Sequence, residues 1–230
     1  MTGPRPFVAP GRGVGPESLR DILPRRLAEA EAARRLRGDF DLNPGMARPE
    51  SPRQAAVLIA LIDRPEGHTI LLTQRTRHLA RHAGQIAFPG GRLEPGDADA
   101  LCAALRETEE EVGLGADRVE TIGALDPYLT RTGFEITPVL GFVRPPEAWR
   151  PDPQEVDEVF EVPLDFILAP GNPVRHSRVW QGIERFFWVY PFGERYIWGA
   201  TAGMLTNLRE IVTGEALASS IDGRASRPPA

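Results

Sequence analysis

Apolar runs separated by turn-forming residues divide the middle of the chain into short strands. Residues Ala55–Ile62 read AAVLIALI, a continuous apolar run whose length fits a buried strand. A second strand is predicted at Thr69–Arg75, after the turn-forming sequence DRPEGH. Glycine, proline and aspartate separate four further candidate strands, which are Gln85–Phe88, Val119–Asp126, Phe134–Val143 and Val156–Val162.

Three segments have helix-forming patterns instead. The first is Ser18–Arg37, where Pro24 is able to occupy the first turn of the longer part, and the others are Asp97–Val112 and Thr201–Thr213. Strands and helices do not alternate regularly along the chain. This order favours a mixed sheet with helices on both faces over a doubly wound parallel sheet.

The length of 230 residues fits one domain with an extension. Residues 1–16 are dense in proline and glycine, which predicts a flexible lead, and residues 43–53 have the composition of a linker. We therefore expect residues 1–50 to form a lead, an N-terminal helix and a linker. The main domain is expected at residues 51–215, and a disordered tail at residues 216–230.

Composition excludes several classes of protein. A net charge of −5 argues against a nucleic-acid-coating protein, and all 27 basic residues are arginine, which excludes P-loop, pyridoxal and protein-kinase sites that need a lysine. The single cysteine, Cys102, rules out an intramolecular disulfide or a cysteine-based zinc cage. No apolar stretch approaches the roughly 20 residues needed to cross a bilayer. A cytoplasmic protein without nucleic-acid or membrane partners is expected.

The segment GGRLEPGDADALCAALRETEEEVGL, at residues 90–114, contains the most informative helix. Asp97 is its predicted N-cap and Gly113 its predicted left-handed stop. At about 100° per residue, one stripe of this helix carries the side chains expected to be buried, which are Leu101, Leu105, Thr108 and Val112.

Three glutamates cluster on another face of the same helix. Glu107, Glu110 and Glu111 have i, i+3 and i+4 spacing, whereas Glu109 points away from them. Like charges so close together repel unless a cation lies among them, and Mg²⁺ and Mn²⁺ prefer oxygen ligands of this kind. Arg106, four residues before Glu110, is placed to hold that carboxylate.

An acidic run of this kind is more often a solvated helix face than a metal site. Here, however, the glycine pair Gly90 and Gly91 lies between an apolar strand and the acidic helix. Glycines allow the backbone to approach a ligand closely. The strand, the glycine loop and the acidic face together favour a pocket for a metal-bound pyrophosphate.

The stretch RETEEEVGL, at residues 106–114, resembles the end of the Nudix box, REUxEExGU, where U is a bulky or aliphatic residue. Thr108 is the loosest fit. The general box has a glycine and a glutamate upstream, at positions that Arg92 and Ala98 occupy here. The loop is therefore one residue longer, with Gly91 as the box glycine and Asp97 near the lost glutamate.

The longer loop resembles the coenzyme A pyrophosphatase branch of the Nudix family. The stretch LLTQRTRHLARHAGQIAFPGG, at residues 71–91, fits the upstream signature of that branch except at two positions. Thr76 replaces a small residue, and Ala80 stands where the signature has an arginine. The later segments TGFEITPVLGF, EVDEVFEVPL and ERYIWGATAGML are also similar, so the resemblance covers about residues 51–213.

The resemblance implies an α/β/α sandwich around a mixed sheet and hydrolysis of a phosphoanhydride with Mg²⁺ or Mn²⁺. The expected substrate is coenzyme A, which would yield 4′-phosphopantetheine and adenosine 3′,5′-bisphosphate. The expected metal ligands are Glu107, Glu110, Glu111 and the Gly90 carbonyl, and the catalytic set is the three glutamates with Arg106. Substrate phosphates are expected to bind the group Arg75, Arg77, Arg81, Gly90 and Gly91.

Several alternatives stay open from the sequence. The general base is one of the box glutamates or a glutamate from a later loop, where Glu135, Glu155 and Glu158 are candidates. The substrate could instead be ADP-ribose, a dinucleoside polyphosphate or a damaged nucleotide. A non-catalytic nucleotide-binding module is the alternative from another class, although it has no need of three repelling carboxylates. A homodimer is also left open.

Overall fold

The computed structural model describes residues 18–76 and 84–217. The predictions for Arg77, Ala80, Arg81, the lead at residues 1–16 and most of the tail lie outside these residues. None of the described helices is long and apolar enough to cross a membrane. The described elements, in chain order, are α1 Leu19–Glu31, β1 Arg37–Gly38, β2 Arg53–Arg64, β3 Gly67–Arg75, β4 Ile86–Ala87, β5 Gly90–Arg92, α2 Ala100–Val112, β6 Val119–Ala124, β7 Tyr128–Leu129, β8 Phe134–Val143, β9 Val156–Pro163, α3 Leu164–Leu168, β10 Val174–Trp180, β11 Ile183–Phe192, β12 Arg195–Trp198 and α4 Gly199–Thr213.

Within the described residues, nine strands form one mixed sheet. Six of them follow the order β1-β7-β8-β2-β3-β4, while β5 pairs with β2, β6 with β8 and β9 with β3. The central strand β2 runs parallel to β8 and antiparallel to β3 and β5. Strands β10, β11 and β12 form a separate antiparallel sheet.

Helices cover both faces of the large sheet because its central strand is apolar on both sides. Ala56, Leu58 and other alternate residues of β2 pack in one core with α2. Val57 and Ile59, on the opposite face, pack in a second core with α1 and α4. The predicted α/β/α sandwich around a mixed sheet is therefore confirmed.

The strand predictions agree best where the apolar run is long. Phe134–Val143 has the predicted bounds, while the strand predicted at Ala55–Ile62 extends over Arg53–Arg64. The short strands β1, β5 and β7 and the whole β10–β12 sheet were not predicted. A short strand leaves too few residues for a periodic pattern, and pairing with distant strands determines its conformation.

Two of the three predicted helices need correction near their starts. Helix α1 begins at Leu19, so Pro24 lies inside it rather than in its first turn. Helix α2 begins after Asp99, whose side chain accepts a hydrogen bond from the Cys102 N–H at 2.8 Å, and Asp97 is not the cap. The C-terminal end is confirmed, because Gly113 has a φ of 70°.

The predicted buried stripe of α2 is only partly correct. Thr108 and Val112 are buried, but Leu101 and Leu105 are only half-buried. Ala103 and Ala104 are fully buried instead. Small side chains at these positions allow the helix to lie close to β2, so the leucines contact the margins of the interface.

The N-terminal extension packs into the core of the large sheet. Leu23 and Leu27 of α1 are buried in the same cluster as the β2 side chains. Arg37 makes an ion pair with Asp126 at 2.7 Å and another with Glu210 at 2.6 Å. Residues 19–38 are therefore part of the folded unit.

Candidate active site

Glu111 is the most buried carboxylate of the predicted site. Its side chain is 4% exposed and lies between α2 and the loop that leads into β5. One carboxylate oxygen accepts the Gly90 N–H at 3.1 Å, and the other accepts the Arg75 guanidinium at 3.2 Å. Burial outweighs both contacts and raises the pKa of Glu111 to about 7, with a further contribution from the charge of Glu155.

The glycine pair is required by close contacts on both sides of β5. A Cβ at Gly91 would lie 2.3 Å from the Glu107 carboxylate, and one at Gly90 would lie 2.3 Å from the Ala56 carbonyl oxygen. Gly90 also has a φ of 147°, which favours glycine. The sequence therefore allows the carboxylates of α2 to contact the backbone of β5 directly.

Arg106 connects the remaining acidic groups. Its guanidinium donates to both oxygens of Asp97 at 3.1 and 3.0 Å, and it reaches Glu107 at 3.2 Å and Glu110 at 3.1 Å. The predicted contact between Arg106 and Glu110 is therefore present. The Glu110 side chain is 60% exposed, so it lies at the rim of the site rather than beside Glu111.

A loop after β8 docks on the C-terminal end of α2 and brings Glu155 to the site. The N–H groups of Arg150 and Asp152 donate to the last carbonyls of α2, each at 3.0 Å, which satisfies acceptors that a helix end leaves free. Further along this loop, the Glu155 carboxylate lies 3.5 Å from Arg75.

The three later glutamates that the sequence offered as bases now differ in their environment. Glu155 pairs with Arg75, which also pairs with Glu111, so its carboxylate lies at the edge of the box. Glu158 forms an ion pair with Arg195 of β12. Glu135 lies on β8, in register with Leu129 of β7.

The donor set suits a hard divalent cation. It consists of the carboxylates of Glu107, Glu110 and Glu111, which form ion pairs with Arg75 and Arg106. Burial raises the pKa of Glu107 as well as that of Glu111, as expected for carboxylates short of positive charge.

The carboxylates do not already form a metal cage. In residues 18–76 and 84–217, no three acidic, histidine or cysteine side chains converge closely enough to hold an ion. Glu110 is turned towards Arg106 at the rim. Binding of one ion through all three box glutamates therefore requires their carboxylates to move closer together.

A cavity of about 690 Å³ adjoins the glycine loop, within the size range of ligand pockets. Three of the predicted substrate-binding residues, Arg75, Gly90 and Gly91, line it, while Arg77 and Arg81 lie outside the described residues. Sequence reasoning missed the rest of the lining, which is Arg53, Ala55, Val57, Arg92, Thr132, Phe134 and Ile136. The sequence carried one signal for this surface, the alternate spacing of Arg53, Ala55 and Val57 on one strand and of Phe134 and Ile136 on another.

Comparison with known proteins adds independent evidence. The NUDIX domain model matches residues 52–192. The chain is 44% identical over 158 residues to the uncharacterized Nudix hydrolase NudL of Escherichia coli K12, with 68% of this chain and 81% of the relative covered. NudL of Shigella flexneri serotype 5b is 43% identical over 170 residues, with coverage of 73% and 87%.

Among solved structures, the Nudix hydrolase RenU from M. smegmatis is 23% identical, with a TM-score of 0.43 and coverage of 53% of this chain and 77% of that one. The matched family model and the similarity to the NudL relatives identify the family. The chain belongs to the Nudix hydrolases, enzymes that act on phosphoanhydrides.

Proposed function

We propose that this enzyme hydrolyses the diphosphate of coenzyme A or its derivatives to 4′-phosphopantetheine and adenosine 3′,5′-bisphosphate. The observation that carries the proposal is the contact between two motifs 36 residues apart. Arg75, from the stretch that resembles the coenzyme A branch, donates to Glu111 of the Nudix box at 3.2 Å. The branch-specific stretch and the box thus contribute to one site.

Glu107, Glu110, Glu111 and the Gly90 carbonyl are the proposed ligands for Mg²⁺ or Mn²⁺. Such an ion, when bound, neutralises phosphate charge and lowers the pKa of a coordinated water. The protein contributes an acidic face held by fixed contacts. The Gly90 N–H orients Glu111, and Asp97 holds Arg106 beside Glu107.

The reaction is attack of water on one phosphorus of the diphosphate, with cleavage of its bond to the bridging oxygen. We assign Glu155 as the base that accepts the proton of this water. Its loop is docked on α2, and Arg75 holds its carboxylate at 3.5 Å. Arg75 also lines the cavity, so it is placed to bind a phosphate oxygen of the substrate.

One observation favours a broader substrate range. Ala80 occupies the position where the coenzyme A signature has an arginine, which removes a cation from that stretch. The alternative function is hydrolysis of another nucleoside diphosphate derivative, such as ADP-ribose or a dinucleoside polyphosphate, at the same glutamates. A silent binding module is disfavoured, because the buried Glu111 and the half-buried Glu107, both with raised pKa values, weaken a fold that needs no metal.

A substrate panel tests the proposal. The purified chain should be assayed with coenzyme A, an acyl-coenzyme A, ADP-ribose, NADH and diadenosine tetraphosphate, each with Mg²⁺ and with Mn²⁺. The proposal predicts the highest kcat/KM for coenzyme A or its thioesters. A higher value for ADP-ribose or the dinucleotide would establish the alternative, and no turnover of any compound would support the binding module.

A further inference from the structure

We propose that Arg53 and Arg92, held over the ring of Phe134, form an anion subsite for a second phosphate, a monoester on the nucleoside of the substrate. This inference rests on the proposed function, because it assigns the residues with which the proposed hydrolase would recognise the nucleoside end of its substrate. The Arg53 guanidinium carbon lies 4.1 Å from the ring centroid of Phe134, and that of Arg92 lies 5.5 Å from it.

The register of three strands places these side chains on one surface. Arg53 of β2 is paired with Phe134 of β8, and Arg92 of β5 is paired with Ala55 of β2. Alternate residues of a strand share a face, so Val57 and its partner Gly90 belong to the same surface. The cavity therefore has an apolar floor, with guanidiniums towards one end and the glycine loop towards the other.

Arg53 and Arg92 form no ion pair with a carboxylate in the part of the chain that the structure describes. Both residues are exposed. Two other arginines that lie over rings differ in this respect. Arg20 over Phe142 also pairs with Asp63, and Arg195 over Phe160 also pairs with Glu158.

The contact with the ring of Phe134 leaves the N–H donors of the two guanidiniums available. An aromatic ring contacts the flat face of a guanidinium. The N–H groups at the edge of the guanidinium can then donate two hydrogen bonds to phosphate oxygens. Two such groups in one cavity match the double negative charge of a phosphate monoester. Arg75 lines the same cavity near the glycine pair, where its guanidinium contacts Glu111 and Glu155, so we assign it to the diphosphate and not to this subsite.

Arg53 is separated from the glycine pair by about the length of a nucleoside, whereas Arg92 lies nearer, two residues after Gly90 on β5. Gly90, which contacts the box glutamate, is paired with Val57, and Arg53 lies four residues before Val57. At about 3.3 Å per residue, the backbone positions are about 13 Å apart. A ribose with its phosphate and an extended arginine side chain together span such a gap.

Binding of product-like nucleotides tests the subsite without turnover. Adenosine 3′,5′-bisphosphate and adenosine 5′-monophosphate should be compared by isothermal titration calorimetry with the full chain and with Arg53→Gln and Arg92→Gln. We expect the full chain to bind the bisphosphate about ten- to a hundredfold more tightly, because charge-assisted hydrogen bonds are the strong ones. Each variant should bring this ratio down by about tenfold and leave the affinity for the monophosphate almost unchanged.

Arg48→Gln is the matched control. Arg48 is another exposed arginine, with its guanidinium 5.5 Å from the ring centroid of Phe40, but it does not line the cavity. This variant should keep the full ratio. A ratio near one in the unmodified chain, or an unchanged ratio in both Arg53→Gln and Arg92→Gln, would overturn the subsite.

Turnover separates this inference from the proposed function. The kcat/KM values for coenzyme A and dephospho-coenzyme A should be measured in the same proteins. If neither compound is hydrolysed while the calorimetric preference is found, the proposed function fails and the subsite stands. If both are hydrolysed at equal rates, and the variants slow both equally, the function stands and the subsite fails.

Discussion

The Gly90 N–H donates to the buried carboxylate of Glu111 at 3.1 Å, which joins the glycine loop to the Nudix helix. This bond requires the loop backbone to lie against the helix, and the missing side chains of the two glycines permit that approach. A change at either end should therefore disturb the same site, although through different physical effects.

Glu111→Gln should lower kcat by about a hundredfold or more while the fold is kept. The amide retains the size of the side chain but removes one charge from the proposed metal ligands, where electrostatic stabilisation is worth several kcal/mol. Initial rates at saturating Mg²⁺, together with circular dichroism, measure the effect. Near-normal turnover at saturating Mg²⁺ would remove Glu111 from the ligand set.

Glu109→Gln is the control for that experiment. Glu109 is exposed and lies outside the Nudix cluster of Glu107, Glu110 and Glu111, so the same loss of charge on the same helix should leave kcat almost unchanged. Equal losses in the two variants would mean that only the total charge of the helix matters.

Gly91→Ala should raise the Mg²⁺ concentration needed for half-maximal activity by about tenfold or more. The added Cβ would lie 2.3 Å from the Glu107 carboxylate, so that carboxylate has to move from its place beside β5. Metal titrations of activity measure the shift, and a thermal melt checks the fold. Gly96→Ala, in the turn that follows β5, is the control, because a Cβ there meets nothing within 4 Å. A Gly91→Ala variant with the metal requirement of the Gly96→Ala variant would contradict the packing argument.

Leu23→Ala should lower the free energy of unfolding by about 2–5 kcal/mol, the usual cost of emptying a buried leucine site. Leu23 is fully buried between α1 and the sheet. We propose that the hydrolase domain spans residues 51–215 and depends on this preceding helix for stability. Urea denaturation measures the loss, with Leu36→Ala as control because Leu36 is 38% exposed. Equal small losses in both variants would show that the extension is dispensable for stability.

Asp39→Asn should gain stability relative to the unmodified chain as the pH rises above about 4. Burial raises the pKa of Asp39, although its carboxylate accepts from Tyr128 and from the Arg131 N–H, each at 2.8 Å. A raised pKa in the folded state means that stability present at low pH is lost as the pH rises through that value. Urea denaturation of both proteins at several pH values measures the difference, and a difference that does not change with pH would contradict the assignment.

The sequence predicted those parts of the fold that are determined by neighbouring residues in the chain. Gly113 ends α2 as expected, and the unbroken apolar run of β2 was recognised at its core. The N-cap was misplaced by two residues because Asp97 and Asp99 are both capping residues. Only the folded loop shows that Asp97 binds Arg106 and Asp99 caps the helix.

Non-local pairing explains what the sequence could not predict. Arg53, Arg92 and Phe134 come together because β2 pairs with both β5 and β8, which are distant in sequence. The sheet β10–β12 mixes arginine with aromatic residues, so its alternation is weak. Its hairpin turn at Gln181 and Gly182, both with positive φ, was the local signal that could have indicated it.

Glu155→Gln should lower kcat by about a hundred- to ten-thousandfold, the usual contribution of a general base. The carboxylate lies 3.5 Å from Arg75, which also pairs with Glu111, so it is placed to accept the proton of a water at the box. Because it is not one of the proposed metal ligands, the Mg²⁺ concentration for half-maximal activity should change little, unlike in Gly91→Ala. Glu158→Gln is the matched comparison, since that residue lies three positions later and pairs with Arg195. If Glu158→Gln loses more activity than Glu155→Gln, or if Glu155→Gln acts mainly through the metal requirement, the assignment of the base is wrong.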